Sequence, residues 1–340
     1  MSSGTDAYLA EHAGAIAAAA SRIVGHVRRT PALPADDIAA GLVVKPELLQ
    51  PTGSFKVRGA FNAALRLGEL TPGTPGLLTV SSGNHGQAVA LAARSLELPC
   101  EVVMPENSNP VKVAAVRALG AVVVSDGVTA ANREQRADEE RERTGWPLIH
   151  PHDDWDTIHG QGTVGLELLA DLEELGMVVC PVGGGGLISG CALAVKAARP
   201  AVRVIGVEPE LAADAAASRR SGLHERLAEP STTIADGLRS MSLGERGFEV
   251  IVGKGLVDDL VTVSEAEIER AMLAAWSRLH LVVEPSGAVG LAALLAGRLP
   301  AAPAGSRIAL VLSGGNVDPL LAARLLAAPA AGLDTGGSAP

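Results

Sequence analysis

Short apolar runs alternate with longer helical patterns along most of this 340-residue chain, and no other sequence feature constrains the fold as strongly. The alternation predicts βαβ units and therefore an α/β fold, with a mostly parallel sheet covered by helices on both faces. Strands that are buried on both faces account for the continuous apolar character of the runs. We predict strands at residues 77–80, 101–104, 121–125, 178–182, 202–207 and 308–312, and helices at 14–24, 86–96, 110–119, 130–144, 162–175 and 190–198.

Composition excludes several classes of protein. The chain has 28 basic and 38 acidic residues, and a formal charge of −10 argues against a nucleic-acid binder, which needs a basic face. No stretch approaches the roughly 20 apolar residues of a membrane span. Segment 14–24 lacks the basic start of a signal peptide and is interpreted as an amphipathic helix. Three cysteines without metal-type spacing favour a reducing compartment, so we expect a cytoplasmic protein.

Three predicted strands run directly into glycine-rich loops. The loops are Ser81-Ser82-Gly83-Asn84-His85-Gly86, Gly183-Gly184-Gly185-Gly186 and Ser313-Gly314-Gly315-Asn316. Ligands bind outside the carboxyl ends of the strands in open α/β sheets, so we expect the three loops to converge on one cleft.

The tetraglycine Gly183–Gly186 is either a tight strand-to-helix turn or an anion site. Without side chains, successive backbone N–H groups can turn toward an anion, and a following helix N-terminus adds favourable potential. The spacing is neither Gly-x-Gly-x-x-Gly nor a Walker A motif, so a single phosphate monoester fits this loop better than a dinucleotide does.

Lys56 is the candidate nucleophile. A lysine is ordinarily solvated, but Lys56 has Phe55, Val57 and Ala60 as neighbours, which favours exclusion of water. Desolvation lowers the pKa of a lysine and lets its amine form a Schiff base with a carbonyl compound.

The combination of these features resembles the pyridoxal-phosphate enzymes of the β-family (fold type II), especially the serine/threonine dehydratases and the eukaryotic-type serine racemases. The resemblance spans about residues 43–318, and its motifs occur in the order of that family. The motifs are KPELLQPTGSFKVRGA at 45–60, SSGNHGQA at 81–88, GQG at 160–162, VGGGGLISG at 182–190, TIADG at 233–237, EPSG at 284–287 and LSGGNV at 312–317.

The resemblance implies a two-domain, tryptophan-synthase-β-like architecture with mixed open sheets and the cofactor between the domains. We expect a larger discontinuous domain at residues 1–68 plus 149–327, a smaller mobile domain at 69–148, and a disordered tail at 328–340. The apolar, alanine-rich helices suggest a homodimer.

The resemblance also implies roles for individual residues. Lys56 would hold pyridoxal 5'-phosphate covalently and act as a base on one face of the substrate. The glycines Gly183, Gly184, Gly185 and Gly186 would bind its phosphate. Asn84 would hydrogen-bond the phenolic oxygen of the ring, Phe55 would pack near the ring, and Ser313 would meet the pyridine nitrogen.

The substrate contacts are implied in the same way. The loop that grips the substrate carboxylate in this family corresponds to Ser81, Ser82, Asn84, His85 and Gln87, and Asp236 lies in a substrate-side loop. Arg133 matches an arginine near the substrate of racemases, although it is also one of many charges on a predicted helix. We regard His150 and His152 as residues of the cleft edge.

Two further features of the resemblance bear on activity. Ser82 matches the serine that faces Lys56 across the ring in serine racemases, which keeps racemisation open, but it is equally consistent with a hydrogen bond inside its own loop. Glu208, Ala212 and Asp214 match a structural metal site of serine racemases, and two carboxylates with a backbone carbonyl suit Mg²⁺ or Ca²⁺.

Ser313 favours elimination over transamination. An acidic residue beside the pyridine nitrogen keeps the ring protonated as a strong electron sink, and a neutral serine does not. Such a site suits prompt loss of a β-hydroxyl after removal of the Cα proton. We therefore predict deamination of a small β-hydroxy amino acid, L-threonine or L-serine, to a 2-oxo acid and ammonia.

Four alternatives stay open from the sequence. The enzyme could be a serine racemase or a dehydratase of another β-hydroxy amino acid, such as 3-hydroxyaspartate. β-Replacement, as in cysteine synthases, is less favoured because those enzymes usually carry Thr-Ser-Gly-Asn-Thr-Gly where this chain has SSGNHG. A non-enzymatic phosphate- or nucleotide-binding module would need only the tetraglycine.

Overall fold

The structure is a computed structural model that describes residues 3–81, 83–129 and 131–327. Within these residues the strands are β1 (Leu33–Pro34), β2 (Leu42–Pro46), β3 (Leu77–Val80), β4 (Cys100–Val103), β5 (Val122–Val124), β6 (Leu175–Pro181), β7 (Arg203–Pro209), β8 (Asp259–Val263) and β9 (Arg307–Leu312). The helices are α1 (Ser3–Arg22), α2 (Lys56–Leu70), α3 (Asn84–Ser95), α4 (Pro110–Ala118), α5 (Arg133–Thr144), α6 (Trp155–Asp171), α7 (Gly186–Ala198), α8 (Asp214–Ser221), α9 (Glu245–Phe248), α10 (Glu265–Ala274), α11 (Pro285–Leu295) and α12 (Pro319–Ala327).

The strands form two sheets. The larger has the order β1-β2-β9-β6-β7-β8, in which only the edge pair β1–β2 is antiparallel. The smaller is the parallel sheet β3-β4-β5. Parallel pairing with helical crossovers confirms the predicted α/β class. Among the described helices, none is long and apolar enough to span a membrane.

Helices cover both faces of the larger sheet. On one face, α1, α6 and α7 bury residues such as Ile16, Leu168 and Ile188 against β6. On the other face, α11 packs against the same strand and α10 packs on α11, burying Leu291 and Met272. Burial on two faces explains why β6 is apolar throughout.

Helix α2 joins the two sheets. Val57 and Phe61 share an apolar cluster with α3 and with Val102 of β4. The opposite side of α2 packs on α6, where a Cβ on Gly160 would lie 2.6 Å from the Arg58 carbonyl oxygen. The division of the chain into domains at residues 68/69 and 148/149 stays a prediction, as do the homodimer and the cytoplasmic location.

A buried ion network fixes the first turn of α2. Arg58 donates two hydrogen bonds to Glu47, both of 2.7 Å, and two to Glu167, of 2.7 and 2.9 Å. Lys45 of β2 donates a 2.5 Å hydrogen bond to Glu167 Oε2, which also accepts one from Arg58. The side chains of Lys45, Glu47 and Arg58 are fully buried. Lys56, two residues before Arg58, is therefore held in a fixed position.

The predicted elements differ from the structure at two informative places. Helix α6 ends at Asp171, so the predicted helix 162–175 was wrong at its end, where Leu175 already pairs with Arg307. Helix α7 begins at Gly186 rather than at residue 190, which places the tetraglycine directly at its N-terminus. The start of the predicted helix 130–144 includes Ala130, which lies outside the described residues, as does the tail 328–340.

Candidate active site

One pocket lies where β3, β6 and β9 end. The candidates that line it are Phe55, Lys56, Ser81, Asn84, His85, Arg133, His152, Gly183, Gly184, Gly185, Gly186, Asp236 and Ser313. Gln87 is buried within α3 and does not line the pocket. Ser82 lies outside the described residues. The three glycine-rich loops therefore meet in one pocket, as predicted from the sequence.

Lys56 is the first residue of α2 and points into this pocket. Its Nζ donates a 2.7 Å hydrogen bond to the Pro151 carbonyl oxygen and lies 5.1 Å from the centroid of the Phe55 ring. No carboxylate of the described residues forms an ion pair with it. Desolvation lowers the pKa of Lys56 to about 8, so a substantial fraction of the amine is neutral near physiological pH.

The tetraglycine loop leads into the N-terminus of α7, a geometry that suits an anion. Gly185 has φ = +89°, a backbone conformation that favours glycine. A Cβ on Gly184 would lie 2.1 Å from Cδ2 of His152, and one on Gly186 would lie 3.1 Å from the His152 backbone. Glycine is therefore required here by close packing as well as by backbone conformation.

Asn84 belongs to a polar chain across the pocket. Its Nδ2 donates a 2.5 Å hydrogen bond to Glu284 Oε1, and its Oδ1 accepts one of 2.8 Å from Asn316 Nδ2. Burial raises the pKa of Glu284 to about 7, against the opposing effects of Lys112 and of Asn84 itself. Glu284 Oε2 is buried without a partner among the described residues. This side chain thus has a free oxygen beside Asn84.

Ser313 follows β9 directly and is almost fully buried. Its carbonyl oxygen accepts a 3.0 Å hydrogen bond from the backbone N–H of Phe55, which ties the end of β9 to the residue before Lys56. The side chain contributed at this position is a neutral hydroxyl.

Three histidines surround the cleft in their neutral forms. Nε2 of His85 lies 3.1 Å from the Ile149 carbonyl oxygen, and Nδ1 of His150 accepts a 2.8 Å hydrogen bond from the Asp153 N–H. The ring centroids of His150 and His152 are 4.7 Å apart. Burial lowers the pKa of all three imidazoles. His152 lines the pocket, whereas His150 does not line it and packs against the His152 ring.

Lys112 and Asp236 form an ion pair at the pocket mouth. Lys112 comes from α4, which packs near the smaller sheet, and Asp236 comes from the segment before α9, beside the larger sheet. The ion pair therefore links the parts of the chain around the two sheets. Burial lowers the pKa of Lys112, but Asp236 and Glu284 more than compensate and leave it raised. The Lys112 stem packs on Gly83, where a Cβ would lie 2.7 Å from its Cδ.

The metal candidates lie apart from this pocket. Both oxygens of Glu208 accept hydrogen bonds from the first turn of α8, at 3.0 Å from Ala215 N and 2.8 Å from Ala216 N. Asp214 Oδ2 is buried with no hydrogen-bond partner in the described part of the chain. Burial raises the pKa of Glu208 to about 8 and that of Asp214 to about 7. Among the described residues, no group of three or more His, Cys, Asp or Glu side chains could hold a metal.

The sequence alone did not identify Glu284, Asn316 or Lys112 as site residues. Glu284 and Asn316 belong to the EPSG and LSGGNV motifs, which marked the two positions but indicated no role for either side chain. Nothing in the sequence marked Lys112, because its ion-pair partner Asp236 is 124 residues away in the chain.

Comparison with known proteins places these residues in a family. The family model "Pyridoxal-phosphate dependent enzyme" matches residues 23–314. A serine racemase of Arabidopsis thaliana is 43% identical over 305 residues, covering 87% of this chain and 90% of the relative. An L-threo-3-hydroxyaspartate ammonia-lyase of Saccharomyces cerevisiae is 39% identical over 309 residues, covering 90% and 93%.

A solved structure supports the same assignment. The crystal structure of a T.th. threonine deaminase matches with a TM-score of 0.83 and 48% identity, covering 90% of this chain and 98% of that chain. The resemblance that the motifs indicated is confirmed. The chain belongs to the pyridoxal-phosphate dependent enzymes and has their fold type II architecture.

Proposed function

We propose that the protein is an ammonia-lyase that deaminates small β-hydroxy amino acids, with L-threonine and L-serine as its simplest substrates. The observation that carries this proposal is the meeting of an amine with a lowered pKa, a glycine cradle at a helix N-terminus and a neutral hydroxyl in one pocket. The similarity to the T.th. threonine deaminase and to the yeast L-threo-3-hydroxyaspartate ammonia-lyase supports an elimination reaction.

The pocket fits the cofactor that the family uses. An aldehyde needs a neutral amine, and Lys56 has a lowered pKa without a carboxylate partner. Backbone N–H groups at a helix N-terminus suit a phosphate, and a Cβ on Gly184 would collide with the His152 ring, which lines the same pocket. We assign Lys56 to the aldehyde, Gly183–Gly186 to the phosphate, Asn84 to the ring oxygen and Ser313 to the ring nitrogen.

When bound, pyridoxal phosphate withdraws electrons from the substrate Cα. Lys56 is then the base that removes the Cα proton, because its amine lies in a desolvated pocket. Ser81, the 83–85 loop and the helix α3 N-terminus orient the substrate carboxylate. His152 and Phe55 cover the pocket wall and exclude water.

The reaction balances as a dehydration followed by a hydrolysis. The substrate loses its Cα proton and its β-hydroxyl, which leave together as one water. The resulting enamine becomes an imine and takes up one water to release ammonia. L-Serine thus yields pyruvate, and L-threonine yields 2-oxobutanoate.

The test is turnover of the purified holoenzyme with L-serine, L-threonine, D-serine and L-alanine. We expect 2-oxo acid and ammonia in equal amounts from the first two substrates only, since alanine has no leaving group. Sulfide added to L-serine should leave the yield of 2-oxo acid unchanged, whereas cysteine formation in its place would indicate β-replacement.

Racemisation is a second candidate function, favoured by the 43% identical serine racemase. It requires a proton donor on the ring face opposite Lys56, the role proposed for Ser82. D-Serine production from L-serine measures this activity directly. Loss of D-serine in Ser82→Ala with retained pyruvate formation is the expected outcome. Racemisation that survives unchanged in this variant would exclude Ser82 from the role.

We also propose that Glu208 and Asp214, with the Ala212 carbonyl, hold a structural Mg²⁺ or Ca²⁺. The two carboxyl groups are buried together, and no lysine or arginine of the described residues pairs with either. Saturating metal should add about 2–3 kcal/mol to the free energy of unfolding. Thermal melting in EDTA and in Mg²⁺ measures the effect, which Asp214→Asn should remove. Identical melting curves in the two buffers would contradict the metal site.

A further inference from the structure

His152 is a titratable side chain that packs directly on the tetraglycine. A Cβ on Gly184 would lie 2.1 Å from Cδ2 of its ring and 2.3 Å from both Cγ and Nε2. These similar distances place the face of the imidazole against Gly184. The atoms nearest to the Cβ positions of Gly183 and Gly185 belong to uncharged residues. An anion that binds at the tetraglycine therefore has His152 as a neighbouring ionisable group.

The residues on either side of His152 hold its ring in place. Pro151, which precedes it, accepts the 2.7 Å hydrogen bond from Lys56 Nζ through its carbonyl oxygen. Asp153, which follows it, accepts a 2.9 Å hydrogen bond from the backbone N–H of Arg246 through Oδ1. The imidazole is thereby fixed beside both the reactive amine and the N-terminus of α7.

Both ring nitrogens of His152 are available to a ligand. Neither Nδ1 nor Nε2 has a hydrogen-bond partner among the described residues, and the half-buried side chain lines the pocket. In contrast, Nδ1 of His150 accepts a 2.8 Å hydrogen bond from the Asp153 N–H, and Nε2 of His85 lies 3.1 Å from the Ile149 carbonyl oxygen. His152 is therefore the histidine at this cleft with the greatest capacity to bind.

The surroundings of His152 lack a counter-ion. Burial lowers the pKa of His152. Four nearby basic side chains lower it further, namely His150, Lys56, Arg133 and His85. No carboxylate pairs with the imidazole in the part of the chain that the structure describes. A ligand with two negative charges would supply the missing counter-ion and favour the protonated form of the ring.

We infer that His152 binds the phosphate of the cofactor as an imidazolium, and that the chain takes up a proton from solvent when a phosphate monoester binds at the tetraglycine. The inference rests on the proposed function, which assigns Gly183–Gly186 to that phosphate. A phosphate monoester is largely dianionic at pH 7, so it keeps its charge while one imidazole nitrogen gains a proton. The resulting charge-assisted hydrogen bond is roughly twice as strong as a neutral one.

Pyridoxine 5'-phosphate is the probe for this contact. It has the phosphate monoester of the cofactor but no aldehyde, so it cannot react with Lys56. Calorimetric titration of the full-length apoprotein at pH 7, in two buffers with different enthalpies of ionisation, counts the protons that accompany binding. We expect uptake of at least about half a proton in the parent protein.

Two variants separate the charge of His152 from its shape. His152→Phe keeps a ring against Gly184 without nitrogens, so it should lose the proton uptake and bind the probe about tenfold or more weakly. His152→Asn keeps a neutral N–H donor and should recover part of the affinity without the proton uptake. Pyridoxine, which lacks the phosphate, should bind the parent protein and both variants equally.

The matched control is His26→Phe. His26 is half-buried and stacks on Phe61 with ring centroids 4.8 Å apart, outside the residues that line the pocket. This substitution should leave the proton uptake unchanged and the affinity for pyridoxine 5'-phosphate within about twofold.

The outcomes separate the inference from the proposed function. Equal proton uptake in the parent protein and in His152→Phe overturns the inference alone, as does equal affinity of the two for pyridoxine 5'-phosphate. Proton uptake that persists in His152→Asn also overturns it. If the parent protein binds pyridoxine as tightly as pyridoxine 5'-phosphate, the phosphate assignment in the proposed function is itself wrong.

Discussion

At the scale of single residues, Lys56 shows how burial sets chemistry. Its amine has one carbonyl oxygen as its only described hydrogen-bond partner, so nothing offsets desolvation, and its pKa falls to about 8 from an ordinary 10.5. The contrast is Lys112, which is buried as well but has a raised pKa because Asp236 and Glu284 are nearby. One amine is thereby suited to act as a nucleophile and the other to hold a charge.

This difference predicts the pH dependence of cofactor loading. The neutral form of Lys56 attacks the aldehyde, so the rate at which apoprotein takes up pyridoxal phosphate should rise with pH and level off above about 8. An unperturbed lysine would keep gaining reactivity up to its ordinary pKa of 10.5. Stopped-flow absorbance across this range measures the rate. A rise that continues well past the pKa of Lys56 without levelling would contradict a desolvated amine.

Substitution of Gly184 tests whether close packing in the tetraglycine loop is needed for cofactor binding. Gly184→Ala places a methyl group into the His152 ring, and overpacking of about 1–3 kcal/mol should weaken cofactor affinity about tenfold or more. The matched control is Gly68→Ala, at an exposed site in α2 with no atom within 4 Å of the added Cβ. Equilibrium titration of both apoproteins measures affinity, and equal values in the two would exclude close packing at Gly184.

At the scale of elements, the placement of α2 depends on buried charge. Arg58 is fully buried between Glu47 and Glu167, and its removal leaves Glu47 with no ion-pair partner among the described residues and Glu167 with Lys45 alone. Arg58→Met should therefore lower the free energy of unfolding by about 3–5 kcal/mol. Arg66→Met removes a half-exposed ion pair with Asp156 from the same helix and should change it by less than about 1 kcal/mol. Denaturant unfolding of both variants measures the difference, and similar losses in the two would contradict it.

The elements also show what the sequence can and cannot specify. Strand 77–80 was predicted with its observed bounds, because an apolar run that ends in a glycine loop has few other interpretations. Strands β2 and β8 were missed. The first contains Lys45, whose burial depends on Glu167 more than a hundred residues away, and the second is a half-buried edge strand. Local pattern therefore identifies central strands better than strands stabilised by distant partners.

At the scale of the whole molecule, the site is built from long-range contacts. Asn84 and Glu284 are separated by 200 residues, and Asn109 and Asp318 by 209. Motifs identified most of the lining residues, because the loops that follow parallel strands of both sheets meet in one pocket. They did not identify the Lys112–Asp236 ion pair, since no spacing in the sequence relates these two side chains. Contacts between distant segments are therefore the part of the site that only the folded chain shows.

The most direct test is Lys56→Ala, compared with the parent protein in the presence of pyridoxal phosphate. The parent should show a visible absorbance band that borohydride removes, and should form 2-oxo acid from L-serine or L-threonine. The variant should fold, lack a borohydride-sensitive covalent adduct and lose at least about a thousandfold in kcat, as expected for removal of a nucleophile and base. Turnover by Lys56→Ala at the parental rate would contradict the assignment of this amine as the reactive centre.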